Sequence, residues 1–127
     1  MPVVAGEGLV GRIASASGER ATILLVTDAD SNVGVKLSTS GDVGVAQGRG
    51  AGAAIALGLI DPKTKVNKGE VVVTSGLQQS VYPPGIPLGK VISARADPGA
   101  LEQTVRVSPL VDLRRVTFVK VLQWSPQ

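Results

Sequence analysis

The sequence predicts an all-β fold built from short antiparallel strands. Three observations carry this expectation. Sixteen Gly and eight Pro in 127 residues are more than a helical domain tolerates, and they suit strands joined by turns. β-Branched clusters recur along the chain between turn-forming residues. Apolar residues alternate at Val33, Val35 and Leu37 and again at Val105 and Val107, the pattern of strands buried on one face.

Taken in order, the expected strands are 10–16, 21–27, 33–38, 43–47, 54–59, 71–74, 88–96, 104–108 and 117–122. Between them stand Ser17-Gly18-Glu19, Asp28-Ala29-Asp30-Ser31-Asn32, Ser40-Gly41-Asp42, Asp61-Pro62-Lys63 and Asp97-Pro98-Gly99. Each supplies an Asx side chain, a fixed proline φ or a permissive glycine. Residues 101–103 and 110–115 tolerate helix but are too short to form one of consequence. Gly48-Arg49-Gly50-Ala51-Gly52 is not a phosphate loop, because the residues after it read as a strand and not as a helix facing an anion. It reads as a glycine-rich hairpin or a flexible tip.

One connection stands apart. The 18 residues from Thr74 to Val91 hold three prolines, three glycines and the only tyrosine. Val81, Tyr82, Pro83, Pro84, Gly85, Ile86 and Pro87 form its centre. Proline fixes φ and removes a donor, and glycine admits φ > 0, so the segment is neither helix nor central strand. It is expected to be an ordered, stiff loop that joins strand 71–74 to the strand from Leu88. It would leave Tyr82 or Val81 partly exposed as an interaction surface, with Gly85 at positive φ. The alternative is a loop that only closes its barrel.

Composition narrows the chemistry. Hydrophobic residues are 43% and aromatics 2%, so the core must be Val, Ile, Leu and Ala. No run approaches the ~20 apolar residues that span a bilayer, and Met1-Pro2-Val3-Val4 does not read as a signal peptide. Histidine and cysteine are absent, which leaves no base for a Ser-His-Asp triad and no soft metal ligands. A Ser-Lys dyad at Thr74-Ser75-Gly76 would need a buried lysine among Lys36, Lys63, Lys65, Lys68, Lys90 and Lys120. Asp28 and Asp30 begin like a calcium loop, but Val33 and Thr39 stand where glycine and glutamate are required. No catalytic, cofactor or metal residue is expected.

The net charge of +3 is uneven: residues 1–60 hold four Lys/Arg against five Asp/Glu, and 61–127 hold nine against five. This suggests a basic face, or ordinary solvated strands. With a pI near 9.6, a small basic barrel that binds nucleic acid or the ribosome is the alternative function. One Phe, one Tyr and one Trp are too few for a base-stacking platform, and Arg114-Arg115 is the one adjacent basic pair. A degenerate two-barrel serine protease is a third reading, disfavoured by the missing histidine.

The chain also echoes itself. Gly8-Leu9-Val10-Gly11-Arg12-Ile13-Ala14-Ser15-Ala16 parallels Gly85-Ile86-Pro87-Leu88-Gly89-Lys90-Val91-Ile92-Ser93-Ala94. Two related barrels in tandem would explain it, as would the general need for glycine at barrel corners. The best seam is the polar stretch from Ile60 to Lys68.

Four stretches together resemble the extracytoplasmic β-domain of the bacterial rod shape-determining MreC family. They are Met1-Pro2-Val3-Val4 leading into Gly8-Leu9-Val10-Gly11-Arg12-Ile13; Ile23-Leu24-Leu25-Val26-Thr27-Asp28; Val66-Asn67-Lys68-Gly69-Glu70-Val71-Val72-Val73-Thr74-Ser75-Gly76; and Tyr82-Pro83-Pro84-Gly85-Ile86-Pro87-Leu88-Gly89-Lys90-Val91. The last two, in order and at this spacing, are the most specific. Gln78-Gln79 and the small residues of 48–52 depart from the family pattern. Within these stretches Gly8, Gly11, Asp28, Gly69, Thr74, Ser75, Gly76 and Gly89 are the structural motif positions.

The resemblance implies two small antiparallel β-barrels in tandem, residues 1–60 forming an incomplete first barrel and 61–127 the second. The family's barrel region starts before the equivalent of Met1, so the chain reads as a fragment. An open sheet edge is expected near 10–16 or 54–59, with a complete barrel over 66–124. The resemblance further implies a membrane anchor and coiled coil outside this chain and an extracytoplasmic location. The implied role is that of a non-catalytic, self-associating scaffold of the cell-elongation machinery. Its implied partners are a class B penicillin-binding transpeptidase, the glycosyltransferase that works with it, and MreD, with no nucleic acid and no cofactor.

Overall fold

A computed structural model describes residues 1–6, 8–50, 52–76, 82–113 and 119–122. Ten strands and no helix occur among the described residues. They are β1 (Pro2–Ala5), β2 (Gly8–Ser17), β3 (Arg20–Leu25), β4 (Asn32–Leu37), β5 (Val43–Gln47), β6 (Ile55–Ile60), β7 (Val71–Thr74), β8 (Pro87–Arg95), β9 (Gln103–Pro109) and β10 (Lys120–Val121). The fold is all-β as the composition requires. Strands β5 and β7 have the bounds that the residue pattern predicts. β1 lies outside the expected strands because it is four residues long and opens on Pro2, a position where a strand tolerates proline.

Every pairing is antiparallel. Six strands close into a barrel in the order β4-β5-β6-β9-β8-β7, and the rest form an open sheet, β10-β1-β2-β3. The barrel core is aliphatic apart from Tyr82. Alternation along β4 and β9 turns Val33, Val35, Leu37, Val105 and Val107 inward, where Ile55, Leu57, Ile60, Val72, Leu88 and Val91 join them. Leu9 of β2 and Val26 belong to the same buried cluster, so the open sheet and the barrel share one core.

The expected seam at residues 60/61 falls between β6 and β7, two strands of one barrel. β9 inserts between β6 and β8, so strands from both sides of residue 60 are needed for closure. Residues 66–124 therefore do not make a barrel alone. A polar, proline-bearing loop looks the same in sequence whether it links domains or neighbouring strands. The open edges also differ from the expectation: β2 is flanked by β1 and β3, β6 by β5 and β9, and the edges of the open sheet are β3 and β10.

The internal echo corresponds to two matching hairpins, β2–β3 and β8–β9. Gly11 faces Leu25, and a β-carbon on it would overlap the Leu24 carbonyl oxygen; Gly89 faces Pro109, and a β-carbon there would overlap the Ser108 carbonyl oxygen. Two residues after each glycine the register slips, between Ile13 and Ser15 in one hairpin and between Val91 and Ser93 in the other. Beyond each bulge the strand runs into solvent, with residues 14–22 and 92–99 exposed. A bulge increases local twist and re-aims the strand, so each hairpin bends out of its sheet at the same place. β2 and β8 lie against each other, and Gly8 backs onto the Pro87 carbonyl, Leu110 and Val111.

Candidate interaction surface

The proline loop is built around Thr74, the last residue of β7, which is fully buried. Its N–H donates to the Ile86 carbonyl at 2.9 Å and its carbonyl accepts from the Gly85 N–H at 2.8 Å. Its Oγ1 donates to the Pro83 carbonyl at 2.6 Å and accepts from the Ile86 N–H at 2.8 Å. Every polar group of Thr74 thus fastens residues 83–86. The neighbouring Ser75 N–H donates to the Gly34 carbonyl at 2.9 Å, tying the start of the loop to β4. Gly76 has φ +68°, and Pro84 packs on it so closely that a β-carbon would meet Pro84 Cδ at 2.7 Å. Gly85 takes φ +88° with open space around it, so conformation and not room requires glycine there.

Tyr82 does not present itself to a partner. It is 3% exposed and belongs to the hydrophobic cluster that fills the barrel. In a chain with so few aromatics its ring is the largest apolar surface available to that part of the core, and burying it outweighs displaying it. Burial pushes its phenol up to about 12, and the positive charge of Arg12 on β2 pulls the other way. Val81 lies outside the described residues. What the loop shows to solvent is Pro84 and Gly85, with Pro83, Ile86 and Pro87 half-buried.

The remaining motif positions lie in strands and turns. Gly8 opens β2 and Gly11 and Gly89 are the close-approach positions of the two hairpins. Gly69 has φ +88° in the turn before β7, and its N–H donates to the Val91 carbonyl at 2.8 Å. Asp28 caps its own turn: Oδ1 accepts from the Asp30 N–H at 2.8 Å. The Gly48–Gly52 stretch is tied to that turn by Gly48 N–H to the Ser31 carbonyl at 3.2 Å and Gly50 N–H to the Thr27 carbonyl at 2.7 Å. The strand β6 follows it, as the rejection of a phosphate loop requires.

Two buried polar residues outside the expected set do comparable work. Glu70 accepts from the Thr39 N–H at 2.8 Å and the Asn67 N–H at 3.3 Å, and Gln103 Nε2 donates to the Asp61 and Thr64 carbonyls, each at 2.8 Å. Glu70 lies inside the Val66–Gly76 motif, but the 31-residue separation from Thr39 hides its partner.

A groove of about 600 Å³ runs where the sheet meets the barrel, lined by Leu25, Thr27, Ala54, Ile92, Pro109 and Leu110 among others. Lys36, Lys63, Lys65, Lys68, Lys90 and Lys120 are all exposed, so none is the buried lysine that a Ser-Lys dyad at Ser75 requires. Arg114, Arg115 and Trp124 lie outside the described residues. Among the described residues no cluster of His, Cys, Asp and Glu is positioned to hold a metal, and no helix is long and apolar enough to cross a membrane.

Fold and loop together define an all-β module: a closed six-stranded antiparallel barrel joined to an open sheet, with a shaped proline loop fastened to the end of β7. The family described as rod shape-determining protein MreC, barrel core, matches residues 1–123. The chain belongs to that family. The cell shape-determining protein MreC of Escherichia coli K12 is 26% identical over 121 residues, covering 95% of this chain and 33% of the relative. That of Listeria monocytogenes is 29% identical over 131 residues, covering 100% and 44%. The chain therefore spans between a third and under half of those relatives. Solved structures agree: Listeria monocytogenes MreC superposes with TM-score 0.89 at 28% identity, covering 100% of this chain and 62% of that one. Pseudomonas aeruginosa MreC gives 0.87 at 28% identity, covering 93% and 76%.

Proposed function

We propose that this chain is the extracytoplasmic protein-binding part of a membrane-anchored scaffold in the bacterial cell-elongation machinery. On this reading it works without catalysis and docks a class B penicillin-binding transpeptidase. The observation that carries the reading is family membership over nearly the whole chain. A more distant relative of the same fold, at 20% identity and TM-score 0.68, was solved as a complex between Penicillin-Binding Protein (PBP2) and MreC from Helicobacter pylori. Another, at 18% identity, is described as the major periplasmic domain of the cell shape-determining filament MreC. Self-association of this protein is the corresponding proposal, supported by β3 and β10, each of which pairs on one side only among the described residues. The glycosyltransferase and MreD stand as further partners on the family resemblance.

The loop of residues 82–87 enters this proposal as a shape-holding element, with Pro84 and Gly85 as its contact points. The test is to immobilise the 127-residue chain and pass over it the periplasmic part of the transpeptidase from the same organism, beside a heparin column. Retention of the transpeptidase with no more heparin retention than the net charge gives is expected. Strong, salt-sensitive heparin binding without transpeptidase capture would favour the nucleic-acid reading.

A further inference from the structure

One end of the closed barrel carries apolar tips flanked by lysines. β4 ends there at Leu37, β6 at Ile60 and β8 at Arg95, while β5 starts at Val43 and β9 at Gln103. Three exposed hydrophobic side chains gather at this end: Leu101 at 97% exposure, Leu59 at 70% and Val43 at 50%. Leu59 has φ +67°, a backbone state that disfavours any side chain beyond Cα, and packing gives it little in return. Outliers of this kind persist where the surroundings impose them. Here the Leu59 N–H donates to Glu102 Oε2 at 2.9 Å, which fastens Leu59 beside Leu101. Gln103 Nε2 donates to the carbonyls of Asp61 and Thr64 and thereby ties the loop that carries Lys63 and Lys65 to the strand start that follows Leu101 and Glu102.

The charges at this end are sorted by sign. Asp42 accepts from Thr64 Oγ1, Asp61 from the Lys63 N–H, Glu70 from the Thr39 N–H, and Asp97 pairs with Arg95. Glu102 is engaged by Leu59. Lys63, Lys65 and Lys68 are exposed and make no ion pair among the described residues. Each of these carboxylates has a hydrogen-bond or ion-pair partner, and the three ammonium groups are left to solvent.

We propose that this end of the barrel docks on an anionic phospholipid bilayer. Leu101 and Leu59 enter the headgroup region, and Lys63 and Lys65 rest on the anionic headgroups. Protruding aliphatic tips flanked by lysines suit an interface of that kind, where apolar burial and charge attraction act together. A protein partner fits less well, since protein interfaces are enriched in aromatics and Arg and depleted in Lys. The surface lies at the barrel end away from the proline loop, so its occupancy is separable from transpeptidase binding.

The test is co-sedimentation of the 127-residue chain with phosphatidylcholine vesicles, with and without phosphatidylglycerol. Binding to the anionic vesicles alone, weakening as salt is raised, is expected. Lys63→Glu with Lys65→Glu should reduce it by more than about tenfold. Leu59→Gly with Leu101→Ser should also remove most of it. Leu59→Gly alone should leave the melting temperature unchanged or raise it, because glycine accepts the positive φ; a loss of binding then cannot come from unfolding. No sedimentation, equal sedimentation with neutral vesicles, or wild-type binding by the leucine variants would overturn the proposal. Transpeptidase capture lost in these variants without vesicle binding would reassign the surface to a protein partner.

Discussion

Thr74 makes four hydrogen bonds to residues 83–86 from a fully buried position. Thr74→Val keeps the shape and removes the hydroxyl, leaving the Pro83 carbonyl and one Ile86 contact unmet. We expect a loss of about 2 kcal/mol in urea unfolding, with Thr74→Ser nearer to wild type. Gly85→Val should lose about 1–2 kcal/mol through its positive φ. Tyr82 gives a pH signature. Its phenol is raised in the folded chain to about 12 from 10.0, so its contribution is fully present below pH 10 and is lost as pH rises from 10 to 12. The slope in that window is at most about 1.4 kcal/mol per pH unit, readable as a falling urea midpoint that Tyr82→Phe abolishes. At this scale the sequence was legible where backbone conformation dictates the residue: Gly85 has the positive φ that a proline-flanked glycine suggests. It was silent on Tyr82, because whether a loop aromatic turns inward depends on a core assembled from distant strands.

The hairpins β2–β3 and β8–β9 make the clearest statement about elements. The parallel residue runs at 8–16 and 85–94 showed their likeness, but not the close approach at Gly11 and Gly89 or the bulge that follows, because the facing carbonyl belongs to the partner strand. Gly11→Ala and Gly89→Ala should each destabilise by about 3 kcal/mol through overlap with backbone, measured by thermal unfolding. Matched losses would mark the hairpins as equivalent. Strand existence was legible from β-branched clusters. The bulge in β6 was not: residues 53–60 are apolar without alternation, so nothing signals that Leu59 turns out while Leu57 and Ile60 turn in. Pairing partners were equally hidden, because β9 reaches β6 across 42 residues between Ile60 and the sequence preceding Gln103. Hydrogen exchange should therefore show slow amides across β4 to β9, including the three strands before residue 61, and faster exchange at the β3 edge. Slow amides confined to residues after 65 would contradict the closed barrel.

At the scale of the whole molecule, one aliphatic core unites the barrel and the inner face of the open sheet, and the described lysines lie on its outside. The all-β class followed from composition, and the family from motifs at fixed spacing; the division of the chain did not, because closure is a property of non-local pairing that no local signal encodes. Residues that only hold shape, such as Thr74 and Gly89, are the ones motif reading finds most readily, whereas a binding surface made of exposed tips leaves little local pattern. On the proposed function this module binds a cell-wall synthase. Calorimetric titration of the transpeptidase's periplasmic part into the folded 127-residue chain tests it most directly. Saturable binding with a negative heat-capacity change is predicted, the mark of apolar surface buried between two folded partners. Absence of any saturable heat at several temperatures, with the chain folded throughout, would contradict it.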